Sequence, residues 1–373
     1  MTDDRPSVFH LITRFNDGGA EAVVTDIVTG LADRYAFTVG HGAEYQESRV
    51  RALEQSGTAT VEFPLIKHYN PVTTIPAALS VARYLRRAEV DLLHTHSTEA
   101  GIIGRFAARL AGTTPVVHTV HGVPFTGDRN PVLNRFVQQC ERVAADYTDQ
   151  ILVNAEPMAE AYLERGIGRP ELYTTVRCGI NRTGFESAEP AIDLPGERPR
   201  VVVVGRLAAG KGFEVLLDAV ERIDAGVFSV AIAGDGPLRE QLREEIQHRG
   251  LSETVHLLGH RSDIPRVLAA SDVFALPSFR EGTPRSITEA MAAGLPVVAT
   301  DVGGVSDQVR DGETGYLIQP GDDAGLADRL RRLLNSSGER ARLGAAGRER
   351  SALFSRETML EAVGEIYTDR LHE

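Results

Sequence analysis

Residues 273–300 read VFALPSFREGTPRSITEAMAAGLPVVAT, and they set the fold class. The stretch opens on an apolar run at 273–277, too short for a helix and closed by a proline, which reads as a buried strand. A polar turn follows. Thr283 is placed to cap a helix, with Pro284 at its first position, where a missing N–H costs nothing. Gly294 stops that helix, and a second apolar run at 296–300 reads as the next strand. Strand, helix and strand in so short a span form the unit of a parallel sheet.

The same alternation extends in both directions. Strands are predicted at 7–13, 35–41, 60–65, 91–96, 116–121, 150–154 and 172–178, with helices at 21–32, 75–88, 99–111 and 132–147 between them. A Pro/Glu/Gly-rich stretch, 186–199, reads as a linker. The pattern then restarts with strands at 201–204, 228–233, 255–259, 273–277, 296–300 and 315–318, and a last helix from about 356 to 371. The expectation is an α/β protein of two doubly wound parallel-sheet domains, 1–185 and 200–355, facing a cleft at the carboxyl ends of their strands. The 373 residues also suit two domains.

Composition narrows the function classes. The chain is 42% hydrophobic and 25% charged, ordinary for a globular protein, so a disordered or fibrous chain is excluded. No run approaches the roughly 20 apolar residues of a membrane span. The acidic start, Met-Thr-Asp-Asp-Arg, is unlike a secretory signal, and a cytoplasmic location is expected. The two cysteines, Cys140 and Cys178, define neither a disulfide framework nor a zinc site. The net charge of −12 argues against nucleic acid as a partner. It is unevenly spread: 18 basic and 21 acidic residues precede residue 186, and 22 and 31 follow.

Three glycine- and charge-bearing turns carry the chemistry. After the strand at 273–277, the backbone amides of Arg285, Ser286 and Ile287 open a helix and suit an anion, with Glu281 and Glu289 flanking them. After 201–204 comes Gly205-Arg206-Leu207-Ala208-Ala209-Gly210-Lys211-Gly212, which is not a Walker loop. Lysine occurs only at 67 and 211, so Lys211 beside Arg206 points to a diphosphate whose charge the pair balances. After the first strand, Gly18-Gly19 lets a ligand approach the backbone of the next helix. Each turn also has a plainer reading, as solvated charges or a tight turn. His10, His41, His68, His94, His96, His118 and His121 gather in the first half, several at strand ends. His94 and His96 find no partner of metal-ligand spacing in the sequence, and no Asp-x-Asp is present to hold a divalent cation on a diphosphate. Neither metal nor cofactor is expected.

The GRL…K-G run at 205–212, EGTPRSITEAMAAGLPVVATDVGG at 281–304, DGETGYLI at 311–318 and the GGAE loop at 18–21 together resemble retaining glycosyltransferases of the GT-B fold, and among them glycosyltransferase family 4. HTHSTEAGIIGRFAARL with HTVHG is similar to members that build microbial surface glycans. The resemblance covers both halves. The chain departs from it at Cys178-Gly179-Ile180-Asn181, where such proteins often read Asn-Gly-Ile/Val-Asp. It implies that the last helix, about 356–373, joins the first domain and that the second binds a nucleotide-diphosphate sugar. In such a site Glu281 would hold sugar hydroxyls, Glu289 the ribose, and Arg206 and Lys211 the diphosphate. Gly18 and Gly19 would lie against the phosphates and His121 near the sugar's 6-hydroxyl. Gly282, Thr283, Pro284 and Arg285 would complete the sugar and phosphate contacts, and the base would rest near Gly259, His260 and Arg261. The implied reaction moves a hexose or N-acetylhexosamine to a hydroxyl of a glycan or lipid-linked glycan. A non-catalytic sugar-nucleotide binder, a glucan synthase or phosphorylase and a sugar-nucleotide epimerase are the alternatives. Arginines interleaved with apolar residues at 75–88 and 102–110 add an anionic membrane surface as an expected peripheral partner.

Overall fold

The computed structural model describes residues 4–16, 18–66, 71–125, 130–191, 193–196, 199–224 and 228–372. Asp17, Lys67 and His68, which entered the sequence reading, lie outside them. The chain divides into two compact units, one of residues 1–178 and 357–373 and one of residues 179–356.

The first unit holds a seven-stranded sheet: β1 (Ser7–Ile12), β2 (Ala36–His41), β3 (Ala59–Glu62), β4 (Leu92–His96), β5 (Val116–Val120), β6 (Gln150–Val153) and β7 (Tyr173–Thr175). The spatial order is β3-β2-β1-β4-β5-β6-β7, with every pair parallel. β4, β5 and β6 are buried along their whole length, as strands covered on both faces must be. The second unit holds β8 (Arg200–Val204), β9 (Ser229–Ala233), β10 (Val255–Gly259), β11 (Val273–Leu276), β12 (Val297–Thr300) and β13 (Gly315–Ile318), in the order β10-β9-β8-β11-β12-β13. In each sheet the order reverses beside the unit's first strand, at β1/β4 and at β8/β11. Ligands of doubly wound sheets bind outside the carboxyl ends of strands at such a point. The loops after β1, β8 and β11 are those singled out in the sequence. The helix Arg356–His372 packs on the first sheet through Met359, Leu360, Val363 and Tyr367.

Three sequence expectations shift. The first unit ends at Cys178, ahead of residue 185, because the short helix Thr183–Glu186 packs on the helices Ile264–Ala269 and Arg285–Ala292 of the second. Gly179 marks the crossing: a Cβ there would lie 2.5 Å from the Ser355 carbonyl oxygen, and the Ile180 amide donates to Phe354. The stretch 186–199 belongs to the second unit rather than bridging two. The Ala191 amide donates to the Arg266 carbonyl, and the Arg200 guanidinium gathers the carbonyls of Pro195 and Gly196. Composition marks an irregular path there, but not what the path packs on. Finally, the helix after β11 begins one residue later than its sequence suggests. It spans Arg285–Ala292 and Pro284 is its cap, with an extended ψ of 116° that no residue inside a helix adopts. The Thr283 hydroxyl is buried without a partner instead of capping.

Candidate active site

In the second unit, the loops after β8 and β11 meet at a glycine. Gly212 has φ +68°, and a Cβ on it would lie 1.9 Å from the Pro277 carbonyl oxygen, so only glycine permits the contact. That approach places Lys211 beside Glu281, with Nζ to Oε1 at 2.7 Å and side chains 29% and 10% exposed. Two residues seventy positions apart, chosen separately from the sequence, thus form one charged pair. Arg206, in the same loop, is exposed, and its guanidinium makes no hydrogen bond or ion pair among the described residues. A second glycine contact seats Glu281 from the other side. Gly303 has φ +56°, a Cβ there would lie 2.0 Å from the Glu281 carbonyl oxygen, and the Gly304 amide donates to Gly282. Glu289 lies one turn into the helix Arg285–Ala292. Burial pushes its carboxyl above the usual range, against the pull of Arg285. A hydroxyl donor would satisfy the carboxylate that this environment leaves costly.

The helix start offers less than the sequence promised. The Ile287 amide already donates to Pro284 and the Arg285 guanidinium to the Gly179 carbonyl. Arg261 is similarly engaged. It holds Asp263 through two bonds of 2.7 Å and Asp193 through bonds of 2.9 and 3.2 Å, which raises its pKa and ties residue 193 to the loop after β10. His260 beside it is exposed. The sequence reading missed Gly234-Asp235-Gly236 after β9. Gly234 would place a Cβ 1.9 Å from the Gly205 oxygen and Gly236 one 2.4 Å from that of Leu207, so this loop forms the floor under the loop after β8. The glycine doublet after an apolar strand was the available signal.

In the first unit, Gly18 caps the helix Gly19–Gly30. The space in front of it is taken by this chain's own carboxylate: a Gly18 Cβ would lie 2.2 Å from Glu21 Oε2. Burial raises the pKa of the Glu21 carboxyl, against the pull of the nearby Asn16 and Glu21 backbone amides. The helix N-terminus that the sequence offered to phosphates therefore faces this chain's own carboxylate.

His121 follows β5 and lines a cavity of about 140 Å³ with Ser97, Thr98, Glu99, Gly122 and Tyr162. Behind it the histidines form one connected group. His96 Nδ1 lies 3.1 Å from His121 Nε2, and His10 Nδ1 lies 2.9 Å from His96 Nε2. His94 Nδ1 and His10 Nε2 both reach the Tyr367 hydroxyl, and His94 Nε2 reaches Thr119. His10, on the neighbouring strand, supplies the third nitrogen that sequence spacing could not place beside His94 and His96, all within 4.8 Å. Burial lowers the pKa of His10 to about 3 and of His121 to about 4, and holds those of His94 and His96 well below the usual histidine value, so all four rings are neutral at neutral pH. His118 points to the opposite sheet face, toward Thr95.

Family models match the two halves in turn: one described as Glycosyltransferase Family 4 over residues 17–183, and one described as Glycosyl transferases group 1 over residues 185–350. The chain is 31% identical to the UDP-Gal:alpha-D-GlcNAc-diphosphoundecaprenol alpha-1,3-galactosyltransferase of Escherichia coli over 72% of its own length and 73% of that protein's. It is 29% identical to the lipopolysaccharide core biosynthesis glycosyltransferase LpsE of Rhizobium meliloti over 94% and 97%. The structure of Anabaena Alr3699/HepE in complex with UDP superposes with a TM-score of 0.83 at 25% identity, covering 97% of this chain and all of that one. Sucrose-phosphate synthase from Thermosynechococcus elongatus shares the fold, with a TM-score of 0.81 at 23% identity over 98% and 99%. Two doubly wound units, a charged pair at the β8/β11 reversal and two family models end to end make this chain a member of the family 4 glycosyltransferases of the GT-B fold.

Proposed function

We propose that the protein transfers a hexose or N-acetylhexosamine from a UDP-sugar to a hydroxyl of a lipid-linked glycan, with retention at the anomeric carbon and without a metal ion. The observation that carries this reading is the Lys211–Glu281 pair with exposed Arg206 beside it. An arriving diphosphate takes the charge of Lys211 and Arg206. Glu281, seated by Gly303, then turns its acceptor capacity to sugar hydroxyls, and Glu289 takes the ribose. Gly282 and Thr283 line the sugar, and Pro284 and Arg285 place the first helical amides toward the phosphates. Gly18 and Gly19 approach those phosphates only if the Glu21 carboxyl turns aside. His121 bonds a hydroxyl of the sugar. With Arg261 committed to Asp193 and Asp263, the base is read by the backbone around Gly259 and by His260.

As the anomeric C–O bond to the diphosphate breaks, the acceptor oxygen bonds the same face, and its proton passes to the departing phosphate oxygen. The protein's part is orientation and electrostatic support of the leaving group. The identity with an enzyme named for UDP-Gal, and the likeness to a chain solved with UDP, support uracil as the base. Release of nucleoside diphosphate, UDP or GDP, from a panel of UDP- and GDP-sugars, measured in excess EDTA with and without a lipid-linked glycan, tests the reading. Acceptor-dependent release of UDP is expected. Turnover that vanishes with EDTA and returns with magnesium overturns the metal-free part, and no release from any donor overturns the enzyme.

The acceptor reading includes an anionic membrane surface, and the structure changes which residues could meet it. Arg105 is fully buried and cannot face lipid. Val81 and Leu85 point into the core, whereas Arg83, Arg86 and Arg87 are exposed on the helix Pro71–Ala88 with Ile75 at 61% and Leu79 at 42%. Among the described residues no helix is long and apolar enough to cross a membrane. Co-sedimentation with anionic vesicles at low salt is expected, at about 1 kcal/mol per engaged arginine. Protein left in the supernatant, with Arg83/Arg86/Arg87→Glu active on lipid-linked acceptors, would point to a soluble acceptor.

A further inference from the structure

The five contacts among His10, His94, His96, His121, Tyr367 and Thr119 each need one proton, and a neutral imidazole supplies one N–H and one bare nitrogen. That constraint couples the rings. If Tyr367 donates to His94 Nδ1, its oxygen must accept from His10 Nε2–H. His10 Nδ1 is then bare and accepts from His96 Nε2–H, and His96 Nδ1 in turn accepts from His121 Nε2–H. His94, having accepted at Nδ1, donates from Nε2 to Thr119. The opposite order starts with Tyr367 donating to His10 and puts the proton of every ring on Nδ1. A mixture leaves at least one contact with two protons or none, in a group buried everywhere but at the cavity end, His121, where an unmet contact is costly.

The geometry chooses between the two orders. The Tyr367 oxygen lies 2.5 Å from His94 Nδ1 and 3.1 Å from His10 Nε2. The shorter contact suits O–H donation and the longer one N–H donation. We propose that Tyr367, on the last helix, holds His10, His94, His96 and His121 together in the Nε2–H form, so that His121 presents a bare Nδ1 and can only accept a hydrogen bond from its ligand. Tyr367 is thereby a positioning residue acting through two rings. It selects a ligand hydroxyl that donates over a group that can only accept. The consequence for the sugar rests on His121 being a sugar contact, as proposed above; the proton order does not.

Long-range proton–nitrogen correlation spectra of the 15N-labelled full-length protein report which nitrogen of each histidine is protonated. All four rings are expected in the Nε2–H form. Tyr367→Phe removes both hydroxyl contacts and is expected to leave His121 as a mixture of tautomers, with kcat/KM for the donor sugar down about fivefold, the worth of one hydrogen bond. Tyr35→Phe is the control. Its hydroxyl lies 3.2 Å from the Gly364 oxygen and 3.1 Å from Thr368 Oγ1, anchoring the same helix outside the chain of rings, so it should change neither tautomers nor kcat/KM. Any of the four rings outside the Nε2–H form in the unmutated protein overturns the proposal, even if Tyr367→Phe fails to fold. So does a Tyr367→Phe spectrum in which His121 is unchanged. Tautomers that respond while donor kinetics do not uphold the ordered chain and overturn the contact between His121 and the sugar.

Discussion

Lys211→Ala is expected to lower kcat by roughly 30- to 1000-fold, the loss of about 2–4 kcal/mol of support for a departing diphosphate. The substitution does more than delete a cation. It leaves Glu281, only 10% exposed, without the partner 2.7 Å away, and puts an uncompensated carboxylate near the diphosphate. Arg206→Ala should cost at least about tenfold by the same charge argument without that second effect. Stability should barely change in Arg206→Ala, whose side chain is exposed, whereas Lys211→Ala should cost some stability because it leaves a largely buried carboxylate alone. A cycle with Glu281→Gln separates shared from independent action. If Lys211 and Glu281 serve the same donor, the double variant loses less than the product of the two single losses. Steady-state rates at saturating donor are the measurement. Near-wild-type turnover in both Lys211→Ala and Arg206→Ala would remove the diphosphate from this loop.

Arg105→Ala or Glu141→Ala is expected to cost about 3–5 kcal/mol of stability, because either leaves a buried charge alone. The pair joins the helix Thr98–Ala111 to the helix Pro131–Ala145 at 2.6 Å, with both side chains fully buried, and Arg105 Nε also donates to the Gly101 carbonyl. Arg105 Nη1 and Glu141 Oε1 find no partner, so the pair is itself incompletely satisfied. An apolar replacement of both, Arg105→Met with Glu141→Leu, should therefore recover most of the loss. At about 2–4 °C per kcal/mol for a unit of this size, each single variant should melt lower by roughly 6–20 °C. Calorimetry decides. Single variants as stable as the double one would mean that the two charges do not depend on each other.

The two substitutions show which features sequence reading reaches. Strand and helix types were legible because β-branched runs such as 201–204 and the 3.6-residue spacing of 99–111 state the local burial directly. The loops after β1, β8 and β12 were legible because close approach to a backbone needs glycine at set places, and glycines announce themselves at 18–19, 205–212 and 303–304. Arg105 was not legible. It was read with Arg109 as a basic stripe for lipid, and nothing local distinguishes an arginine facing solvent from one facing a glutamate thirty-six residues on. Arg261, which the resemblance sets near the base, is likewise engaged by two aspartates that the sequence did not pair with it.

By itself the sequence determined the element types, the two-fold repetition of a doubly wound sheet and the identity of the charged residues at its turns, since each rests on contacts among near neighbours in the chain. Only the tertiary structure decided that residue 178 ends the first unit, that Glu21 stands before Gly18, that Lys211 meets Glu281, and that four histidines and Tyr367 form one connected group. Those pairings join residues up to 357 positions apart. Whether a side chain is buried, paired or unmet depends on what the fold brings against it, and that energy has no local trace in the chain.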